Sequence, residues 1–440
     1  MNSIYLRLNT DQKPNAVKKK RARNLVLHLH PVKLRKDAIR FQLTFGLGGM
    51  SALLFLLQVL TGILLRFAYV ASPAEAYDSI LAIENDIFFG QFVRNIHHWS
   101  GILFVIITFL HLIRTFYTGA FYFKRRWNWI IGVILMILVV FSNFTGYLLP
   151  WDQLAYWAIT VSTSMLQYVP LAGNWLVEFV RGGMDVNSST LLIFYNFHTA
   201  ILPVTIVILM VFHFWRVRKA GGVVASEKAS QEMVPSDPDL VLKELVTGLV
   251  LLATIFLISV FFNAPLLERA DPAFSPNPAK APWYFMGIQE LLMHFHPFVS
   301  AILIPLLFVL GLIWLPFLRF DKQYEGVWFF NEKGKKLATL ATIISLCTVT
   351  IAILISDFLI NFEGWLPSIP LIISSGLIPF TLVATFFLIL MYFIKKVYRT
   401  DMSELILFLM TFIVVAYIVF SITAIFFRGP GMQLMWPWNI

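Results

Sequence analysis

Cysteine is nearly absent from this chain: Cys347 is the one thiol in 440 residues. One thiol excludes a disulfide framework, a cysteine-rich metal site, an iron–sulfur cluster and a C-x-x-C-H haem attachment. Inside an apolar run, Cys347 reads as a small packing residue. Charge is scarce as well. Charged residues make up 13% of the chain, against 58% hydrophobic and 16% aromatic, a balance that soluble domains do not tolerate.

What the chain does have is long apolar runs. About nine are long enough to cross a bilayer, near 41–69, 95–119, 128–149, 191–215, 245–262, 299–318, 337–360, 371–394 and 404–427. The fold class expected is therefore all-α, a polytopic transmembrane helical bundle. The formal net charge of +10 sits in clusters at 18–23, 33–40, 124–126, 216–219, 333–336 and 395–399. Counted through nine spans from a cytoplasmic N-terminus, every cluster falls on the cytoplasmic side, and the C-terminal "RGPGMQLMWPWNI" lies outside. Membrane topology thus accounts for the basicity, and nucleic acid is not expected as a partner. The basic "KKKRARN" adjoins no apolar h-region, so no removable signal peptide is expected.

The longest polar segment, 218–243, is rich in Gly, Ser, Pro and charge. It divides the chain into a basic segment 1–40, a four-span unit 41–219, a cytoplasmic linker 220–244 and a five-span unit 245–440. Two long connections, 150–190 and 263–298, keep many aromatic residues, as ordered functional loops do. Asp152 is read as a helix cap, and 153–180 as an amphipathic helix across the outer mouth of a site.

Histidine is where the chain departs from an ordinary membrane protein. The run "NIHHWSGILFVIITFLHLIR" (95–114) holds His97, His98 and His111, and "NFHTAILPVTIVILMVFHFW" (196–215) holds His198 and His213. Intramembrane imidazoles are costly unless used. His97 and His111 are 14 residues apart, nearly one helical face and about 21 Å along it; His198 and His213, 15 apart, are displaced by about 22 Å. His98 is rotated off that face and is read as an interface residue. Because both spans run in the same direction, His97 pairs in depth with His198, and His111 with His213. Two ligands per level fall short of a zinc site. They match haem, whose porphyrin supplies the other four donors. Gly48 and Gly62, and Gly132 and Gly146, also lie 14 apart and give room for a macrocycle at the same two levels. Arg94 and Arg114 flank the histidine span and are candidate partners for haem propionates.

These stretches, with "FGLGGMSALLFLLQVLTG", "TGYLLPWDQLAYWA" and "STLLIFYNFHTAILP", resemble the cytochrome b subunit of quinol:cytochrome c reductases, the bc/bf family, over roughly 41–219. The 14- and 15-residue histidine spacings resemble the chloroplast-type bf branch. The resemblance implies two b-type haems: an outer, low-potential one on His97 and His198, and an inner, high-potential one on His111 and His213. It also implies quinone as substrate, a Rieske iron–sulfur protein and a c-type cytochrome as partners, and a dimeric complex. Three departures stand out. Gly46 replaces the cysteine that anchors an extra covalent haem in the bf branch, so that haem is not expected. In "KAPWYFMGIQELLMHFHP" (280–297), Trp283 and Tyr284 match the outer quinol site, but Pro282 stands where the family has glutamate. The fifth span of the C-terminal unit has no assignable counterpart.

Quinol oxidation releases protons and needs an acceptor. Glu290 and His294, at i and i+4 if 287–296 is helical, are candidates, with local capping and solvent-facing histidines (His296 included) as the plainer alternative. At the inner face Arg218 is the candidate for stabilising a reduced quinone. Lys219 and His30 are weaker candidates there. The function expected is a Q-cycle, in which quinol is oxidised outside and an inner quinone is reduced, in a prokaryotic cytoplasmic membrane. A dihaem anchor for a quinone-linked dehydrogenase is the alternative, and a proton-pathway transporter without haem is a third.

Overall fold

The computed structural model describes residues 31–226 and 232–439, so His30 and the cluster at 18–23 lie outside the described residues. Strand β1 (Lys33–Arg35) precedes the first span, α1 (Leu47–Arg66); a short α2 (Ala76–Asn85) follows, then the spans α3 (Gly90–Tyr117) and α4 (Arg126–Tyr147). Next come α5 (Gln153–Ser164), α6 (Gly173–Arg181) and the span α7 (Ser188–Lys219). Strand β2 (Met233–Pro235) pairs antiparallel with β1, and α8 (Asp239–Phe261) is the fifth span. The C-terminal part comprises α9 (Met286–Leu292), α10 (Phe298–Phe317), α11 (Glu332–Phe358), α12 (Ile372–Tyr398) and α13 (Met402–Phe426). Nine of the described helices are long and apolar enough to cross a membrane, as the hydropathy pattern predicts.

Helix is the form a spanning segment takes because hydrocarbon offers its backbone no other hydrogen-bonding partner. The starts are set by ordinary caps. Asp152 accepts from Ala155 N at 2.8 Å, Asn331 from Gly334 N at 2.7 Å, and Asp401 forms a capping box with Glu404. Asp152 is thus the cap expected of it. Three spans carry a π turn, at Phe197–Ile201, Phe298–Leu303 and Ile372–Leu377. A proline follows each by two residues: Pro203, Pro305 and Pro379. Proline has no N–H and crowds the carbonyl four residues back, so the helix widens ahead of it.

The region 153–180 differs from expectation. It is two helices, α5 and α6, joined through the turn Met165–Tyr168 and Pro170, because proline and the Ala172–Gly173 start interrupt the first. Arg181 ties them together: it donates to Thr163 Oγ1 at 2.7 Å and to the Thr160 carbonyl at 2.8 Å.

The polar segment after α7 is not a slack tether where it is described. Lys36 N donates to the Glu232 carbonyl at 2.9 Å beside the β1–β2 pair. The two large units also share an aromatic core, in which Phe116, Phe121 and Trp129 pack with Leu315, Phe330 and Leu407. Near it Gly326 N donates to the Thr118 carbonyl at 2.9 Å, and Tyr324 Oη to Asp401 at 2.8 Å. The described basic clusters therefore share one end of the bundle. At the opposite end α5 meets the loop after α8, where Gln153 N donates to the Glu268 carbonyl at 2.8 Å.

Candidate functional site: two paired histidine levels

α1, α3, α4 and α7 form a four-helix bundle, with α8 against α1 and α3. His97 on α3 and His198 on α7 face each other with ring centres 6.2 Å apart. Toward the other end, His111 and His213 do the same at 6.4 Å. The equal levels resolve the unequal spacings of 14 and 15. His198 sits in the π turn Phe197–Ile201, which takes up an extra residue, so 15 residues on α7 match 14 on α3.

Each glycine of the sequence pattern lies against one of these imidazoles. A Cβ added at Gly62 would come 3.2 Å from His97 Cε1, and one at Gly146 2.5 Å from His198 Cε1. At the other level Gly48 stands 3.1 Å from His111 Cε1 and Gly132 3.6 Å from His213 Cε1, by the same construction. Halfway between the levels, seven residues from each glycine or α3 histidine, stand Phe55, Phe104 and Val139. With Ile206 they form a buried apolar layer. The same periodicity that repeats the polar position thus places a plug between the two sites.

The imidazoles of the first pair are oriented through Nδ1. Thr61 Oγ1 lies 2.9 Å from His97 Nδ1, and Ser142 O accepts from His198 Nδ1 at 2.9 Å. That leaves Nε2 of these two rings as a ligand atom, whereas Nδ1 of His111 and of His213 has no hydrogen-bond partner among the described residues. Two metal–nitrogen bonds of about 2 Å, plus about 1.2 Å from each nitrogen to its ring centre, require about 6.4 Å between centres. Both pairs fit one metal between two imidazoles. Among the described residues no group of three or more His, Cys, Asp or Glu could hold a metal ion, and two imidazoles per level suit a metal whose other donors come from a macrocycle.

The flanking arginines divide. Arg94 forms an ion pair with Glu84 and donates to the Ala264 and Pro265 carbonyls at 2.8 Å each, so its guanidinium braces the loop after α8 and the expected propionate role is not supported. Arg114 is also buried and gives Nε to the Leu43 carbonyl at 2.6 Å, but its Nη2 has no hydrogen-bond partner among the described residues. A buried, half-satisfied guanidinium fits a carboxylate ligand. His98 stands edge-on to Trp99 at 4.9 Å and away from the facing pairs, as the rotation argument requires. Arg218 and Lys219 are exposed at the end of α7, with Lys219 Nζ 5.0 Å from the Trp215 ring centre.

A cavity of about 230 Å³ lies beyond the His97/His198 end, between α5, α9 and the loop 276–285. Phe144, Trp157, Lys280, Phe285, Gln289 and Leu292 are among its walls. Trp283, Tyr284, Glu290 and His294 are near it but not in its lining. The Tyr284 hydroxyl is buried without a hydrogen-bond partner among the described residues, and its carbonyl accepts from Tyr417 Oη at 2.5 Å.

Glu290 and His294 do meet, Oε1 to Nε2 at 3.2 Å, although α9 ends at Leu292. Sequence reading missed the rest of that cluster. Arg428 donates to Glu290 Oε1 at 2.6 Å and Oε2 at 3.0 Å, and to Asp357 Oδ2 at 2.6 Å. Burial pushes Glu290 up, but the His294 and Arg428 bonds outweigh it and hold the carboxyl below its usual value. Arg428 and Asp357 are 138 and 67 residues from Glu290, and no spacing rule joins them.

Comparison with known proteins gives the family. The family model described as cytochrome b/b6/petB matches residues 35–221. The cytochrome b6 of the alga Gracilaria tenuistipitata var. liui is 41% identical over 177 residues, 40% of this chain and 82% of that protein. The chain belongs to the cytochrome b/b6 family. The cytochrome b6 proteins of Euglena gracilis (42% identical, 82% of its length) and Heliomicrobium gestii (41%, 83%) match over the same share of this chain. A chain of a hyperthermophilic respiratory complex III shares the fold over 90% of this chain and 92% of its own, with a TM-score of 0.64 at 23% identity. That likeness extends the fold beyond the b6-like half. This cytochrome b is a multi-pass membrane protein that binds b-type haem.

Proposed function

We propose that this chain is the dihaem cytochrome b subunit of a membrane quinol:cytochrome c-type oxidoreductase in a prokaryotic cytoplasmic membrane. Two facing imidazole pairs, 6.2 and 6.4 Å apart on one bundle, are the observation that carries the reading. His97 and His198 would hold the outer haem, His111 and His213 the inner one. Haem, when bound, supplies a one-electron carrier at each level. Gly62, Gly146, Gly48 and Gly132 keep the space beside the rings free of side chains, and Arg114 offers a cation to a propionate. Residues 41–219 form the haem unit, and 245–440 contribute the quinol-site loop 263–298. With the N-terminus cytoplasmic, the cavity opens toward the outer side and accepts quinol. Trp283 and Tyr284 shape its loop, while Glu290 and His294, bonded to each other, offer an exit for protons. Arg218 serves an inner quinone. With one cysteine in the chain, the high-potential acceptors must be partners, a Rieske iron–sulfur protein and a c-type cytochrome in a dimeric assembly.

A second reading, a dihaem anchor for a dehydrogenase with one quinone site, draws on Pro282 in place of a carboxylate. Bifurcation separates the two. If quinol gives its first electron to a high-potential acceptor and its second to the haems, adding oxidant to the quinol-poised complex increases b-haem reduction. Decreased reduction on adding oxidant, with no Rieske protein in the complex, contradicts the proposal and favours the anchor.

A further inference from the structure

The cavity lacks the carboxylate that its loop was expected to carry, yet it is not without charge. Among the described residues lining it, Lys280 is the one ionisable side chain. The lysine is also held in place. Gln289, itself in the lining, donates Nε2 to the Ala279 carbonyl at 2.7 Å and accepts from Ala281 N at 2.8 Å, gripping the backbone on both sides of residue 280. Lys280 Nζ donates once, to the Ile425 carbonyl at the end of α13, at 2.9 Å. An ammonium has three donors, and among the described residues no carboxylate reaches this one. The charged groups on the elements around it are taken: Glu290 of α9 and Asp357 of α11 both bind Arg428, just past α13. The cavity wall from α5 brings Trp157 and Ser162, which are uncharged. Partial burial makes the ammonium somewhat harder to keep charged.

We propose that Lys280 is the group that meets a quinol oxygen in this cavity and stabilises the quinolate formed when that hydroxyl loses its proton. The inference rests on the function proposed above. A phenolic hydroxyl ionises at about pH 10, so near neutrality the electron-rich anion is a minor species. A fixed cation beside the bound quinol favours that anion. In the balanced step, quinol loses one proton, which leaves for water by the Glu290–His294 exit, and becomes quinolate against the ammonium. Loss of the second proton and of two electrons, to one-electron acceptors of the haem and iron–sulfur classes, then gives quinone. Lys280 keeps its own protons throughout.

The test uses the intact complex and the variants Lys280→Met, Lys280→Gln and Lys280→Arg, following reduction by a short-chain quinol in stopped flow from pH 6 to 9 and equilibrium binding of the matching quinone. The b-haem spectrum should be unchanged in all three. Met and Gln should slow the reaction at least about tenfold at neutral pH, with the deficit shrinking as pH rises, because quinolate then forms without help. Arg should retain most of the rate, and quinone should bind more weakly to Met and Gln. Wild-type rates in Met or Gln, or a deficit that is the same at every pH, overturn the proposal. A wild-type complex that no quinol reduces overturns the functional reading itself and this inference with it.

Discussion

Between α3 and α7 the polar groups that face each other are four half-buried imidazoles, set 14 and 15 residues apart and each beside a glycine. Between α9, α11 and the tail after α13 they are Glu290, His294, Asp357 and Arg428, full charges and an imidazole drawn from segments up to 138 residues apart. The first region leaves its polarity unsatisfied toward the space between the rings, which is what a ligand site requires. The second satisfies its polarity internally and joins α13 to the loop that builds the cavity. Asn277 Oδ1, accepting from Gly431 N at 2.6 Å, adds to that clamp. Polarity that points at a gap leaves room for a ligand, and polarity that closes on itself ties distant segments together, here around the Glu290–His294 contact.

The sharpest way to break this contrast is Gly146→Leu. A Cβ there already comes 2.5 Å from His198 Cε1, so the larger side chain should abolish haem at the His97/His198 level and leave the other, halving the haem per chain by pyridine haemochrome assay. Arg428→Leu comes next. Two carboxylates lose a buried partner, which costs about 3–5 kcal/mol, read as a lower thermal midpoint in detergent with both haem signals still present before melting. Acid should act more gently on the same cluster. Glu290 is held below its usual value when folded, so the stability it contributes is present above the ordinary carboxylate pKa and is lost as pH falls through the lower folded value. Melting curves should therefore drop in that acid window for the wild type and less steeply for Glu290→Gln. The smallest effect belongs to Gly132→Ala. Its Cβ would stand 3.6 Å from His213, against 2.5 Å to His198 at Gly146, so haem at the His111/His213 level should be weakened only slightly by the same haemochrome assay.

Local periodicity made the first region legible. The nine apolar runs follow from hydropathy and the facing histidines and glycines from 3.6 residues per turn, and in the structure each glycine lies beside a histidine. The π turn at His198 was the part the arithmetic lacked, though Pro203 just beyond it was a visible signal. The second region was legible only in its i, i+4 contact, Glu290 to His294. Arg428 reaches Glu290 because α13 packs along α9, and packing partners are set by shape complementarity over the whole chain, not by local spacing. For the same reason Arg94 read as a ligand group: its pairing with Glu84 depends on how α2 folds back across α3.

Haem stoichiometry is the direct test of the central claim. The purified complex should contain two b-type haems per copy of this chain, and His198→Leu and His213→Leu should each remove one and spare the other. A single b haem in the wild type, or two haems surviving either substitution, would contradict the account.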